Sequence, residues 1–222
     1  MMMNVQVDKS VFEIEKVRLL TPSTYVVRFS RNDMQFTPGQ HLVIGLPGSD
    51  ELREYSIYSG IHDPFLEVLI KEVDEGKVSK QLKHISEGDP LEVRGPYGFF
   101  MANAKSQEPR HLLFIASGTG IAPFHSYVRS YPASDYQLIH GIRTMEEAYD
   151  AMEYDQEKLS VCTSRDDRGS FQGRLTDYLH QAEIDPGWMV YLCGNSQMIY
   201  DAMEILQQRG VPQRHLFTEV YF

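Results

Sequence analysis

Cysteine is scarce in this sequence, and its scarcity excludes several kinds of site. The 222 residues include two cysteines, Cys162 and Cys193, which are too far apart to form a Cys-x-x-Cys pair. An iron–sulfur cluster needs four ligands, so any such cluster must come from a partner. The eight histidines are scattered, with no pair at metal-ligand spacing. We therefore expect no metal site in this chain.

Long apolar runs and an excess of positive charge are also missing. No stretch approaches the roughly 20 apolar residues needed to cross a bilayer, and the start MMMNVQVDKS lacks a basic segment followed by an apolar one. The formal net charge is -10, which argues against nucleic acid as a partner because phosphate backbones are held mainly by lysine and arginine. We expect a cytoplasmic protein that binds neither membrane nor nucleic acid.

The first hundred residues contain a series of short strand patterns. β-branched or aromatic runs are separated by turn pairs such as Pro38-Gly39 and Gly88-Asp89. The predicted strands are FEIEKVRLL, TYVVRFS, HLVIGL, EYSIYS, FLEVLIKEV and LEVRG. One helix, VSKQLKHI, interrupts them, and Ser79 is its predicted N-cap. This pattern predicts a small antiparallel β-barrel.

After about residue 105, apolar strands alternate with helical patterns. The predicted strands are HLLFIAS, YQLIHGI, KLSVCTS, WMVYLCG and HLFTEVYF, and the predicted helices are APFHSYVRS, EEAYDAME, GRLTDYLHQA and SQMIYDAMEILQQRG. Such alternation predicts a doubly wound α/β domain with a parallel five-stranded sheet. The polar segment ANAKSQEPR between the two patterns predicts domains at 1–104 and 105–222.

Two stretches of the second half have the composition of a nucleotide site. In ASGTGIAPF, Gly118 and Gly120 permit a tight turn after a strand, and Pro123 suits the start of a helix, so backbone amides could face a phosphate. In CTSRDDRGSFQGR, Ser164 and Arg165 follow a strand end, where arginine could bind the 2'-phosphate of NADP. A glycine-rich turn without ligand and a solvated loop of mixed charge are the alternatives.

The stretch REYSIYSG in the first half places Arg53 and Tyr55 on one face of a strand and Ser56 on the other. A flat ligand that carries phosphates would account for these side chains. A plain exposed barrel strand is the alternative.

Short motifs along the chain occur in the order of a known family. They are REYS, GKVS, GPYG, SGTGIAP, SR with a later GR, CGN and a final EVYF. Over nearly the whole chain the sequence resembles the ferredoxin-NADP reductase superfamily, and within it the bacterial ferredoxin (flavodoxin)-NADP reductases. The resemblance implies a Greek-key barrel that binds FAD, followed by an α/β domain that binds NADP.

The resemblance also implies a role for each motif residue. Arg53 would bind the FAD pyrophosphate, Tyr55 would stack on the isoalloxazine, and Ser56 would hydrogen-bond near its N5. The GKVS residues Gly76, Lys77, Val78 and Ser79 would bring further donors to the pyrophosphate. Tyr221 would cover the flavin face that the nicotinamide must occupy and act as a gate, and Phe222 would cover the adenine of a folded-back FAD.

For NADP, the resemblance implies a pyrophosphate loop, a phosphate-binding edge and a nicotinamide site. The implied residues are Gly118, Thr119 and Gly120 for the loop, Ser164, Arg165 and Arg174 for the 2'-phosphate, and Cys193 and Gly194 beside the nicotinamide. Ser56, Cys193, Glu219 and Tyr221 would be the catalytic set. The arginines favour NADPH over NADH.

The implied activity is electron exchange between NADP(H) and a one-electron carrier, ferredoxin or flavodoxin, by a protein expected to be a monomer. Because such carriers are usually acidic, docking would need a local basic patch, for which Lys77, Lys80, Lys83 and Arg94 are candidates. A solvated helix face is the other interpretation of these residues. Alternative functions are an NAD(P)H:flavin oxidoreductase, the reductase of an oxygenase system, or a non-catalytic flavin-binding subunit.

Overall fold

The first half of the chain folds into the predicted antiparallel barrel. The structure, a computed structural model, describes residues 10–101 and 111–221. Six strands pair in the order β4-β3-β6-β1-β2-β5, and a bridge between Ile57 and Val68 joins the end of β4 to β5 and closes the barrel. The strands are β1 (Ser10–Thr21), β2 (Thr24–Ser30), β3 (His41–Gly45), β4 (Arg53–Ser56), β5 (Phe65–Lys71) and β6 (Pro90–Tyr97).

The barrel is filled by side chains that alternate along its strands. Tyr25, Phe29, Leu42, Val68 and Ile70 are among those fully buried in one apolar cluster. Burial of a side chain of this kind contributes roughly 1.5–3 kcal/mol, so this cluster is the main source of barrel stability.

A short helix, α1 (Lys77–Lys83), closes one end of the barrel with Val78 and Leu82. The prediction that Ser79 caps this helix is wrong, because the helix begins two residues earlier and Gly76 is the N-cap. A side chain at Gly76 would collide with Val73. The Ser79 hydroxyl is buried and accepts a hydrogen bond from the Val73 backbone N–H at 3.4 Å, so it supports the preceding turn instead.

The second half forms a parallel sheet in the order β10-β9-β8-β7-β11-β12. Its strands are β7 (Leu112–Ser117), β8 (Tyr136–Ile142), β9 (Leu159–Thr163), β10 (Phe171–Gln172), β11 (Met189–Asn195) and β12 (Leu216–Tyr221). The helices are α2 (Ala122–Ser130), α3 (Leu175–Leu179) and α4 (Ser196–Gln208). The doubly wound fold and its five predicted strands are confirmed, and the sixth strand, β10, is too short to show periodicity.

The predicted helix EEAYDAME is wrong. Two short 3-10 turns, Met145–Glu147 and Ala151–Glu153, occupy this stretch, and between them Asp150 adopts a left-handed backbone with φ 49°. Tyr149 is buried, and the Asp150 carboxylate binds two side chains of the barrel. These long-range contacts outweigh the local helical propensity.

The predicted boundary between residues 104 and 105 lies outside the described residues and stays a prediction. In the part of the chain that is described, every helix is too short or too polar to traverse a bilayer.

Charged side chains from the two halves alternate where the halves meet. Arg18 of β1 donates two hydrogen bonds of 2.8 Å to the Asp150 carboxylate, and the Tyr58 hydroxyl donates to the same group at 2.9 Å. Arg129 of α2 bridges Asp63 and Glu153, at 2.8 Å to each. The set that we call the interdomain network comprises Arg18, Tyr58, Asp63, His125, Arg129, Asp150 and Glu153.

His125 lies at the centre of this network. Its ring is buried and stacks on Tyr58, with ring centroids 3.7 Å apart. Nδ1 lies 2.7 Å from the Tyr58 carbonyl oxygen, and Nε2 lies 3.1 Å from the Glu153 carboxylate. Both ring nitrogens therefore face oxygen atoms, one from the barrel and one from the second half of the chain.

Asp150 should contribute measurably to stability through these contacts. Burial alone would raise the pKa of its carboxyl, but the Arg18 guanidinium and the Tyr58 hydroxyl outweigh burial and hold the pKa below its ordinary value. The stabilisation is therefore present at neutral pH and is lost as the pH falls through the lowered pKa.

We predict that Asp150→Asn lowers the free energy of unfolding at pH 7 by about 1–3 kcal/mol, because asparagine tolerates the left-handed backbone but leaves Arg18 without its anion. Denaturant unfolding followed by circular dichroism measures this loss. Asp167→Asn is the matched control, since Asp167 is exposed on a loop, and it should change stability by less than about 0.5 kcal/mol. Equal effects of the two variants would contradict the prediction.

Candidate functional site

Three polar side chains, one from the barrel and two from the last strand of the sheet, meet at the junction of the two halves. Ser56, at the end of β4, donates a hydrogen bond of 2.8 Å to Glu219 of β12. The Tyr221 hydroxyl, also from β12, donates to the Ser56 hydroxyl at 2.6 Å. Ser56 is buried at this contact. The structure thus joins residues that lie 163 positions apart in sequence.

Cys193 completes this cluster. It lies on β11 in register with Glu219 on β12 and is fully buried. Burial raises the pKa of the Cys193 thiol well above its ordinary value, and the nearby Glu219 carboxylate adds to the rise. The thiol therefore stays protonated and is a poor nucleophile.

Glu219 itself lies in an environment that favours its protonated form. Burial raises the pKa of the Glu219 carboxyl, and the charge of Glu54 adds to that rise, while the hydrogen bond from Ser56 opposes it. Burial also raises the pKa of the Tyr221 hydroxyl well above its ordinary value. The cluster can therefore hold protons on oxygen in a region shielded from water.

A glycine loop lies directly beside Cys193. Gly118 has a left-handed backbone with φ +53°, and Thr119 and Gly120 continue it as a 3-10 turn into α2. A side chain at Gly120 would collide with the Cys193 carbonyl, so only glycine allows this close approach. Gly194 has φ +131° and packs as closely on Ser117.

This loop occupies the crevice where ligands bind in open α/β sheets. From β7 the chain runs outward through β8, β9 and β10, and then returns to place β11 on the other side of β7. The ends of β7 and β11 therefore flank the point at which strand order reverses. Backbone amides at this point can face an anion.

His140 is a residue of this loop region that the sequence did not reveal. Its Nε2 donates a hydrogen bond of 2.9 Å to the Gly118 carbonyl from the neighbouring strand β8. Burial lowers the pKa of His140 to about 4, so the ring is neutral and its proton resides on Nε2. A histidine within the strand YQLIHGI, next to its apolar pair Leu-Ile, was the available signal.

The predicted phosphate-binding residues lie one strand further along the sheet. Ser164 and Arg165 follow β9, and their backbone N–H groups bond to the carbonyls of Ile142 and Arg143 at 3.1 and 2.8 Å. Both side chains are exposed, as is that of Arg174, the N-cap residue of α3. The exposed Arg143, one residue beyond β8, adds a cation that the sequence did not single out.

The barrel residues of the predicted flavin site lie near the start of β4. Arg53 is exposed, and its guanidinium donates to the Leu52 carbonyl at 2.8 Å. Tyr55 is half-buried, and burial raises the pKa of its hydroxyl to about 12, while the Arg53 charge opposes that shift. Gly76 and Lys77 begin α1, Val78 and Ser79 are buried, and Phe222 lies outside the described residues.

The predicted basic patch is not a free positive surface. Lys77 pairs with Glu51, Lys83 with Glu72 and Arg94 with Glu92, each at 2.6 Å, and Lys80 donates to the Asp74 carbonyl. Neighbouring carboxylates thus offset most of the charge of these four cations.

Comparison with known proteins agrees with this architecture. The family described as oxidoreductase FAD-binding domain matches residues 12–101, and the oxidoreductase NAD-binding domain matches residues 114–204. A ferredoxin–NADP reductase of Azotobacter vinelandii is 30% identical over 210 residues, covering 80% of this chain and 81% of the relative. The chain belongs to the ferredoxin-NADP reductase superfamily.

Other members of this superfamily differ in the systems they serve. The toluate 1,2-dioxygenase electron transfer component of Pseudomonas putida is 28% identical over 226 residues, covering 94% of this chain. The chain spans 66% of the length of that relative. A ferredoxin NADP+ reductase from Neisseria gonorrhoeae, solved with bound FAD and NADP, shares the fold with a TM-score of 0.83 and 22% identity, covering 96% of this chain and 98% of the other.

The protein is therefore an oxidoreductase with FAD-binding and NAD(P)-binding domains. Its own residues fit both groups. The exposed guanidinium of Arg53 beside the half-buried ring of Tyr55 suits a ligand with a phosphate and a flat ring system. The left-handed Gly118, with open space around its α-carbon, leaves room for a phosphate at the loop.

The raised pKa of Glu219 predicts opposite effects of one substitution on stability and on activity. A raised pKa in the folded state means that stability is fully present below the ordinary glutamate pKa and is lost as the pH rises through the raised value. Glutamine has no ionisable carboxyl, so Glu219→Gln does not lose stability in this way as the pH rises. We expect the variant to gain in unfolding free energy relative to the wild-type protein as the pH rises, while its reductase activity falls roughly 10²-fold or more.

Denaturant unfolding at several pH values tests the expected change in stability, and steady-state rates of the reductase reaction test the expected loss of activity. Glu183→Gln is the control, because Glu183 is exposed on the connection between α3 and β11. A pH-independent stability difference between Glu219→Gln and the wild-type protein would show that folding does not raise the pKa of the Glu219 carboxyl.

Proposed function

We propose that this protein exchanges electrons between NADP(H) and a one-electron carrier such as ferredoxin or flavodoxin, through bound FAD. The observation that supports this most is the contact of Ser56 with Glu219 and Tyr221 beside Cys193 at the junction of the two domains. When bound, FAD would supply the chemistry that couples two-electron hydride exchange to one-electron transfer. The protein's own residues bind, orient and shield the reacting groups.

Arg53 and the start of α1 hold the FAD pyrophosphate in this proposal, since a guanidinium fork matches phosphate oxygens. The residues assigned to FAD are Arg53, Tyr55, Ser56, Gly76, Lys77, Val78, Ser79, Tyr221 and Phe222. Gly118, Thr119 and Gly120 bind the NADP pyrophosphate, and Cys193 and Gly194 flank the nicotinamide. Ser164, Arg165 and Arg174 bind its 2'-phosphate.

Ser56, Glu219 and Tyr221 manage protons at the reacting centre. The Tyr221 hydroxyl donates to Ser56, and Ser56 donates to Glu219, so a proton can be held at the Glu219 carboxyl. In this arrangement Tyr221 occupies the space between Ser56 and Cys193. We infer that its ring must turn away before a nicotinamide can lie there, which makes Tyr221 a gate.

A second candidate is a reductase that serves an oxygenase, because relatives of similar identity include a dioxygenase electron transfer component. In that case too, any iron–sulfur cluster belongs to the electron acceptor. Cys162 and Cys193 are both buried and lie on strands that are not neighbours, so they do not form a cluster site. A flavin reductase that releases its flavin is a third candidate, and it predicts weak FAD retention.

An anaerobic titration separates these functions. We expect the purified protein to retain FAD, to be reduced by NADPH more readily than by NADH, and to be reoxidised by ferredoxin or flavodoxin. Extraction of FMN, or of no flavin, would contradict the proposal. Reoxidation only by an oxygenase ferredoxin would favour the second candidate.

Arg165 provides a test of the coenzyme site. We predict that Arg165→Ala weakens NADPH binding by roughly 1.5–3 kcal/mol, the scale of a charged hydrogen bond, and leaves NADH binding nearly unchanged. Equilibrium titration measures both constants. Arg214→Ala is the matched control, since Arg214 is exposed and precedes β12 at the opposite edge of the sheet. Equal losses for both coenzymes would show that the 2'-phosphate is bound elsewhere.

A further inference from the structure

Arg168, in the loop after β9, is held by two carboxylates. Its guanidinium lies 2.6 Å from Glu146 and 2.7 Å from Asp166. Its backbone N–H also donates to Asp166, at 3.2 Å. Glu146 comes from the loop after β8, so this cluster joins the same two loops that carry Arg143 and Arg165.

Both carboxylates are themselves fixed and ionised. The Arg168 guanidinium and the Thr144 hydroxyl lower the pKa of Glu146 to about 2. The Met145 backbone N–H, which donates to Asp166 at 2.8 Å, and Arg168 lower the pKa of Asp166 to about 2. At any working pH the two acids keep their charge.

The two neighbouring arginines differ from Arg168 in their ion pairing. The side chains of Arg143 and Arg165 are exposed, and within residues 10–101 and 111–221 neither makes an ion pair. One edge of the sheet therefore presents two arginines open to a ligand and a third, Arg168, already bound by acids.

We propose that Glu146 is a specificity-determining residue that limits the preference for NADPH by occupying the guanidinium of Arg168. The inference rests on the proposed function, because it assumes that the 2'-phosphate lies beside Arg165. Carboxylate and phosphate match the same guanidinium fork, so Glu146 competes with the 2'-phosphate for Arg168. NADH carries no such phosphate, so Glu146 does not weaken its binding.

The expected size of the effect follows from the exposure of the pair. About half of the Arg168 side chain and more than half of the Glu146 side chain are exposed, so solvent screens their attraction. Loss of the Glu146 charge leaves Arg168 with Asp166 as its carboxylate partner and should strengthen binding of the 2'-phosphate by roughly three- to tenfold.

The experiment measures the dissociation constants of NADP+ and NAD+ by equilibrium titration of the FAD-loaded protein. Glu146→Gln keeps the length of the side chain but removes its charge. We expect it to tighten NADP+ binding roughly three- to tenfold and to change NAD+ binding less than about twofold. The double variant Glu146→Gln with Arg168→Gln should lose this gain. Glu157→Gln, an equal change of charge at the amino end of β9, should alter neither constant.

The outcomes separate this inference from the function on which it rests. If Arg165→Ala weakens NADP+ binding but Glu146→Gln does not tighten it, the role of Glu146 is wrong and the coenzyme site stands. If neither variant affects NADP+, the phosphate lies elsewhere and both ideas fail. The inference would be overturned if Glu146→Gln still tightened NADP+ binding without Arg168, or tightened NAD+ binding equally. Either result would show that the change in net charge, not the contact with Arg168, causes the effect.

Discussion

The alternating charges of the interdomain network fix how the barrel meets the parallel sheet, and the candidate site depends on that meeting. Ser56 belongs to the barrel and Glu219 to the edge of the sheet, so their 2.8 Å contact exists only in one relative placement of the halves. Arg18, Asp150 and Tyr58 hold that placement with three directed hydrogen bonds. Partly buried ions tolerate little displacement, because a separated partner is left without compensation. Apolar packing alone would be less directional.

Two electrostatic environments lie within one domain, and each suits a different task. Around Glu219 and Cys193, burial raises the pKa of both groups and keeps protons on them. Around Glu146 and Asp166, exposed hydrogen bonds lower the pKa of the acids and keep them charged. The first environment suits proton handling in a shielded site. The second suits the binding of a charged group from solvent, where opposite charges can exchange partners at small cost.

Close backbone contact joins the glycine loop to the end of β11, beside Cys193. Gly120 lies against Cys193, and Gly194 lies against Ser117, so the glycine loop and the end of β11 form one rigid edge. Two side-chain hydrogen bonds fix this edge further, from His140 to the Gly118 carbonyl and from the Asn195 backbone N–H to the Ser117 hydroxyl. A ligand bound at the loop therefore has a fixed position relative to Cys193. Any reaction of a bound coenzyme beside the Ser56 cluster requires such a fixed position.

The sequence alone determined most of the strand and helix pattern of both halves, because periodicity and turn residues act over a few positions. It also singled out the glycine loop, Arg53, Tyr55 and Arg165 as candidates, because they stand in short motifs. Tertiary structure decided the rest. Gly76, not Ser79, caps α1, and Val73 leaves no room there for a side chain. Asp150 interrupts a helical pattern, and its carboxylate binds Arg18. The roles of His140, Arg143 and Arg168 depend on neighbouring strands, and no local pattern in a single sequence reports which loops a sheet brings side by side.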